Sequence, residues 1–105
     1  MIALAELLAA TDAQVLQRRA ERFGGFGFDS RIVQPGQLFV AVVTDTGDGH
    51  AYIGEAVAAG ATGVLCERPP VEDLGGITLL VVGDTQQALL AYARHILAAQ
   101  KVEVI

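Results

Sequence analysis

The sequence predicts an α/β domain with a mixed, largely parallel sheet of about four to five strands flanked by two to three helices. Three observations predict it. The apolar runs Leu38–Val43 and Ile77–Val82 are continuous rather than alternating, as in strands covered on both faces. Segments with helical spacing of apolar residues separate such runs. Turn residues, mostly Gly and Pro, stand at the junctions.

Taken in order, Leu4, Leu7 and Leu8 recur at helical spacing, so Met1 to Ala10 reads as a short amphipathic helix. Thr11-Asp12-Ala13-Gln14 has the form of a capping box and predicts a second helix, over Thr11 to Arg22, running through Val15, Leu16, Arg19 and Ala20 towards Gly24. The run Gly24-Gly25-Phe26-Gly27-Phe28 breaks a helix, and its alternation of Phe with Gly suggests a strand. Gln34-Pro35-Gly36-Gln37 places Pro and Gly where a type II turn wants them, and the strand Leu38–Val43 follows. Thr44 to Gly49 reads as a polar loop. Asp48 caps a helix beginning near His50, whose buried stripe is Ile53, Ala56 and Val57. Gly60 fits the left-handed position that ends it.

Thr62 to Glu67 is a further strand, stopped by Arg68-Pro69-Pro70, and Val71 to Gly76 is a surface loop. After the strand Ile77–Val82, Asp84 or Thr85 caps a long helix to about Gln100, with Leu89, Leu90, Ala93, Ile96 and Leu97 expected to face the core. Val102 to Ile105 reads as the start of another strand.

A chain of 105 residues has room for one domain. Its 52% hydrophobic and 18% charged residues exclude a disordered chain. No apolar block approaches the ~18 residues that cross a bilayer. The amino terminus lacks a basic region, and Glu6 interrupts its apolar stretch. It is not read as a signal peptide, and a cytoplasmic location is expected. The net charge of −5 argues against a nucleic-acid or anionic-membrane binder, since only Arg18, Arg19 and Arg22 cluster among seven scattered cations. Cys66 is the single cysteine, so an internal disulfide and a multi-cysteine metal site are both excluded, and its apolar neighbours suit a buried thiol.

Familiar nucleotide and metal motifs fail on their own spacing. Gly25-Phe26-Gly27 lacks the third glycine of a dinucleotide fingerprint, because position 30 is Ser. A phosphate loop of the form Gly-x4-Gly-Lys-Ser/Thr is absent, and the only lysine is Lys101. Asp48-Gly49 followed by Glu55 matches the tail of a calcium loop, but Thr44 and Thr46 stand where carboxylates are required. More informative is the polar trio Asp29-Ser30-Arg31 after one strand, together with a polar loop after the next strand that feeds a helix start. Two loops at neighbouring strand ends, one with a free hydroxyl and one backed by a helix N-terminus, suit a small ligand. The alternative is that Asp29, Ser30 and Arg31 only cap and pair locally.

Asp29-Ser30-Arg31, then Pro35-Gly36-Gln37-Leu38-Phe39-Val40-Ala41, then Asp48-Gly49-His50-Ala51-Tyr52-Ile53, then Ala56 through Gly60-Ala61, resemble the N-terminal domain of the Mur ligases. Val82, Asp84, Thr85, Ala88 and Leu89 extend the likeness to the last helix. It is nearest to the ligases that add the third residue or the D-Ala-D-Ala dipeptide to the UDP-N-acetylmuramoyl peptide.

The resemblance implies a domain that binds the UDP part of that substrate, with a central ATPase domain and a C-terminal domain performing amide-bond formation. It implies no catalytic residue, metal or cofactor in this chain, whereas the parent enzyme uses ATP and Mg2+. Residues 1–101 correspond to the nucleotide-binding domain and 102–105 to the start of the central one. It further implies that Ser30 approaches the uridine nucleotide, Phe28 lies by the uracil, and Asp45, Thr46 and Gly47 close over the nucleotide. Thr44 departs from the family pattern, which has Gly there, and so does the acid at Asp45. The resemblance also places short strands, not a helix, between the first helix and Asp29. Two other functions remain in view: a stand-alone interaction module that has lost the nucleotide, and a related ligase acting on a different peptide or polymer.

Overall fold

The computed structural model describes residues 1–100, so the expected strand Val102–Ile105 and the boundary at residue 101 lie outside the described residues. The chain begins with strand β1 (Ile2–Ala3) and helix α1 (Leu4–Ala10), followed by β2 (Gln14–Gln17), β3 (Arg22–Phe23) and β4 (Phe26–Gly27). Next come β5 (Leu38–Val40), a hairpin of β6 (Val43–Thr44) and β7 (Gly47–Asp48), and a 3-10 turn (Gly49–Tyr52) leading into α2 (Ile53–Ala58). The remaining elements are β8 (Gly63–Cys66), β9 (Thr78–Val81) and α3 (Thr85–Gln100).

Five strands form the main sheet in the order β2-β9-β8-β5-β4. Strands β9, β8, β5 and β4 are mutually parallel, and β2 is antiparallel on β9. Successive side chains of a strand point to opposite faces, and the core divides accordingly. Leu38, Val40, Leu65, Leu80 and Val82 pack on one face with Leu4, Leu7, Phe23 and Ala88. Phe39, Ala41, Val64 and Cys66 pack on the other with Ile53 and Ala56. Helices α1 and α3 therefore cover one face and α2 the other. The His95 imidazole of α3 meets the Glu6 carboxylate of α1 at 2.6 Å.

Local signals for turns and caps hold. Gly36 has φ +84° and Gln37 N–H donates to Gln34 C=O at 3.2 Å, as a type II turn requires. Gly60 adopts φ +118° after α2. The Asp48 carboxylate accepts the His50 N–H at 2.9 Å, and Asp84 accepts the Gln87 N–H at 3.1 Å at the start of α3. Cys66 is buried, and burial pushes its thiol up to about 11.

The helix expected over Thr11–Arg22 is not formed; the segment carries β2 and β3. Thr11, the intended cap, instead donates its hydroxyl to the Leu7 C=O at 2.7 Å and so closes α1. Long-range bonds hold the rest extended. Gln17 donates its side-chain amide to the Gly75 and Ile77 carbonyls at 2.6 and 2.7 Å. The fully buried Thr78 hydroxyl accepts the Arg19 N–H at 2.9 Å and donates to the Ala20 C=O at 2.8 Å. A capping signal worth about 1 kcal/mol yields to such tertiary bonds.

Two smaller expectations also change. Leu90, Ala93 and Leu97 face outward on α3, because the buried side of that helix runs through Thr85, Ala88, Leu89, Tyr92 and Ile96. The polar stretch Thr44–Gly49 is not an open loop, since β6 and β7 pair within it, and Val43 is exposed in that hairpin rather than covered in the sheet.

Candidate functional site

Parallel strands β4 and β5 end side by side, and the chain leaving each runs over the same edge of the sheet. Such carboxyl-terminal strand edges are where open α/β sheets bind ligands. Here an open cleft of about 770 Å³ lies between the segment Phe28–Arg31 after β4, the β6–β7 hairpin after β5, and the first residues of the 3-10 turn and α2. That volume suits a small organic ligand of nucleotide size.

Four of the five residues singled out from the sequence line this cleft: Phe28, Ser30, Thr46 and Gly47. Phe28 is 56% exposed and Tyr52 is 52% exposed, so two aromatic faces stand open at the site. Gly47 has open space where a side chain would be, which leaves its backbone approachable. Asp45 is placed differently. It is exposed in the turn joining β6 to β7 and is not among the lining residues.

The Ser30 hydroxyl is not free, contrary to expectation. It is buried and donates to the Glu55 carboxylate from the first turn of α2. A hydroxyl has one hydrogen, so Ser30 Oγ meets a ligand through its remaining lone pairs.

The charges of the cleft are largely paired within it. Arg31 grips the Asp29 carboxylate through its Nε and a terminal nitrogen at 3.0 and 2.8 Å, and the Arg31 N–H donates to the same group at 2.9 Å. The Arg31 guanidinium and backbone amide together lower the Asp29 carboxyl to about 2. Asp48 is bound by Arg68 at 2.6 Å, by the His50 N–H at 2.9 Å and by the His50 ring at 2.7 Å. Arg68 first, and then the two His50 contacts, hold the Asp48 carboxyl well below the usual carboxylate range.

Sequence reasoning missed Tyr52 and Glu55. The signal was present but indirect: Asp48-Gly49 marks a helix start, and a right-handed crossover returns that start to the strand ends where Ser30 lies. Among the described residues no group of three or more His, Cys, Asp or Glu side chains gathers to hold a metal ion. No helix among them is long and apolar enough to cross a membrane. The arrangement offers aromatic faces, hydroxyls and an open glycine backbone, which is the equipment of a binding site.

Residues 22–100 match the family model described as Mur ligase family, catalytic domain. The chain is similar to UDP-N-acetylmuramoyl-L-alanyl-D-glutamate--2,6-diaminopimelate ligases. It is 44% identical over 87 residues to that of Bacteroides thetaiotaomicron, covering 82% of this chain and 18% of the relative. To that of Chlorobaculum tepidum it is 47% identical over 79 residues, covering 67% and 16%. The chain thus spans under a fifth of the length of these curated relatives. Its fold is similar to a crystal structure of MurF from Acinetobacter baumannii, with a TM-score of 0.84 and 25% identity over 95% of this chain and 22% of that one. MurF from Thermotoga maritima in complex with ADP aligns with a TM-score of 0.62 and 32% identity, over 80% and 18%.

Proposed function

The chain belongs to the Mur ligase family, and from that premise we propose that it is the substrate-recognition domain of an ATP-dependent amide-forming ligase of peptidoglycan synthesis. In this reading it holds the UDP part of a UDP-N-acetylmuramoyl peptide, in the cytoplasm. One observation carries the proposal. The cleft at the ends of β4 and β5 lies inside the family-matched segment and brings Phe28, Ser30, Thr46 and Gly47 together from two loops. Phe28 and Tyr52 supply apolar faces for a base, Ser30 a directed polar contact, and the hairpin an approachable backbone near a diphosphate.

ATP and Mg2+, which the family implies, do not fit these residues. The chain has one lysine, Lys101, and no Gly-x4-Gly-Lys-Ser/Thr loop. Phosphoryl transfer needs a phosphate cradle and a metal site. Under this proposal both belong to further domains that begin near residue 102, and the ligation chemistry lies with them.

Titration calorimetry with UDP and with UDP-N-acetylmuramic acid tests the proposal. Binding is expected to be weak, because the other domains add contacts. Loss of one hydrogen bond to a polar or charged ligand costs about 1.5–3 kcal/mol, so Ser30→Ala should weaken UDP binding by about tenfold to a hundredfold. Asp45→Asn should strengthen it by no more than about a few-fold, since an exposed charge acts through screening solvent. Absence of UDP binding at millimolar concentration would overturn the reading and favour an interaction module of the same fold.

A further inference from the structure

His50 is not among the residues that line the cleft, yet both nitrogens of its ring are engaged. Its side chain is 6% exposed. Nε2 stands 2.8 Å from the backbone nitrogen of Glu67, and Nδ1 stands 2.7 Å from Asp48 Oδ1. The first contact fixes the position of the ring proton. A backbone amide can only donate, so Nε2 must accept and carries no hydrogen. The proton is therefore on Nδ1, which donates it to Asp48. The other Asp48 oxygen accepts from Arg68 at 2.6 Å. The Glu67 carboxylate in turn accepts the Thr85 N–H at 2.9 Å, at the first turn of α3.

These contacts join elements distant in sequence. Asp48 ends β7, Glu67 follows β8, and Thr85 opens α3. Asp48, Gly49 and Tyr52 all line the cleft. We propose that His50 is a positioning residue for the cleft: in its neutral, Nδ1-protonated form it clamps the segment Asp48–Tyr52 to the backbone that leaves β8. The second half of a histidine's hydrogen bonding commonly fixes its tautomer, and here it fixes a wall. Loss of the ring leaves the Glu67 N–H without its acceptor and removes one of the three bonds on the Asp48 carboxylate, which keeps Arg68 and the His50 N–H. The effect on ligand rests on the proposed nucleotide reading; the clamp itself does not.

Two ligand-independent readouts and one binding readout test it on the 105-residue chain. Long-range proton–nitrogen correlation spectra of the His50 ring should show Nδ1 protonated and Nε2 bare. The Glu67 amide should be protected from hydrogen exchange, and should exchange about tenfold or more faster in His50→Ala. His50→Gln carries an acceptor oxygen at a similar reach and should restore most of that protection. UDP affinity should fall about fivefold to tenfold in His50→Ala and stay within about twofold in His50→Gln, as expected for one hydrogen bond.

An Nε2-protonated ring would overturn the clamp, as would a folded His50→Ala with unchanged Glu67 exchange. If His50→Ala does not fold, the tautomer and the protection retained in His50→Gln decide the matter. If UDP fails to bind the unaltered chain, the nucleotide reading falls, and the tautomer and Glu67 exchange still judge the clamp.

Discussion

Replacing Gly49 by Ala tests whether the cleft depends on a close approach of two backbones. A Cβ at position 49 would lie 2.8 Å from Val42 N, 3.0 Å from Ala41 Cα and 3.3 Å from Ala41 C. These are main-chain atoms at the exit of β5, and they are tied down. Ala41 N–H donates to Leu65 C=O at 2.9 Å, and Ala41 C=O accepts the Thr85 hydroxyl at 3.1 Å. Gly49 N–H itself donates to Val42 C=O at 2.9 Å. Gly49 is not among the glycines with positive φ, so the constraint is space and not the dihedral angle.

Forcing a methyl group into such a site costs about 1–3 kcal/mol. Restricting the unfolded chain returns up to about 1 kcal/mol. With a net loss of roughly 1–2 kcal/mol, at about 4–8 °C per kcal/mol for a domain of this size, Tm should drop by roughly 4–16 °C. Val42 and Gly49 both line the cleft, so UDP affinity should fall as well. Differential scanning calorimetry and UDP titration measure the two effects. Gly54→Ala serves as the counterpart: position 54 lies in α2 with nothing within 4 Å of a built Cβ, and the change should stabilise by about 0.5–1 kcal/mol. A Gly49→Ala variant that melts at or above the parent temperature would refute the reasoning.

Two further outcomes follow from the polar contacts. The Asp48 carboxyl titrates below its ordinary value in the folded chain, so its contribution is present above the unfolded value of about 3.9 and is lost as pH falls through that value towards the folded one. Asp29, lowered to about 2 by Arg31, acts in the same direction. Urea unfolding across pH 7 to 2 should therefore show a shallower acid loss in Asp48→Asn, together with lower stability at pH 7; an unchanged slope would remove Asp48 from this role. Thr78→Val keeps the shape but strands the Arg19 N–H and the Ala20 C=O. It should cost about 1–3 kcal/mol in urea unfolding, and a change under about 0.5 kcal/mol would show that the segment after β2 finds other partners.

What the sequence determined by itself was local. Continuous apolar runs place β5, β8 and β9. Gly36 and Gly60 mark two of the three positions where φ turns positive, and Asp48 and Asp84 mark helix starts. Each depends on the chemistry of a few adjacent residues, which is why it can be read without coordinates. The order Asp29-Ser30-Arg31 followed by Asp48-Gly49 also pointed to the cleft, because short parallel connections bring consecutive strand ends together.

Tertiary structure decided the rest. Residues 11–22 carry good local helix signals, yet their extended form is set by Thr78 and by the Gly75 and Ile77 carbonyls about sixty positions away. The outward face of α3 was likewise invisible, since Leu90 and Leu97 are as apolar as Leu89 and only the angle at which the helix meets the sheet assigns them to solvent. Ser30 illustrates the same limit at the site. Its residue type announces a hydroxyl, but Glu55, brought beside it by the fold and not by sequence proximity, takes the single proton and determines that the oxygen receives rather than donates.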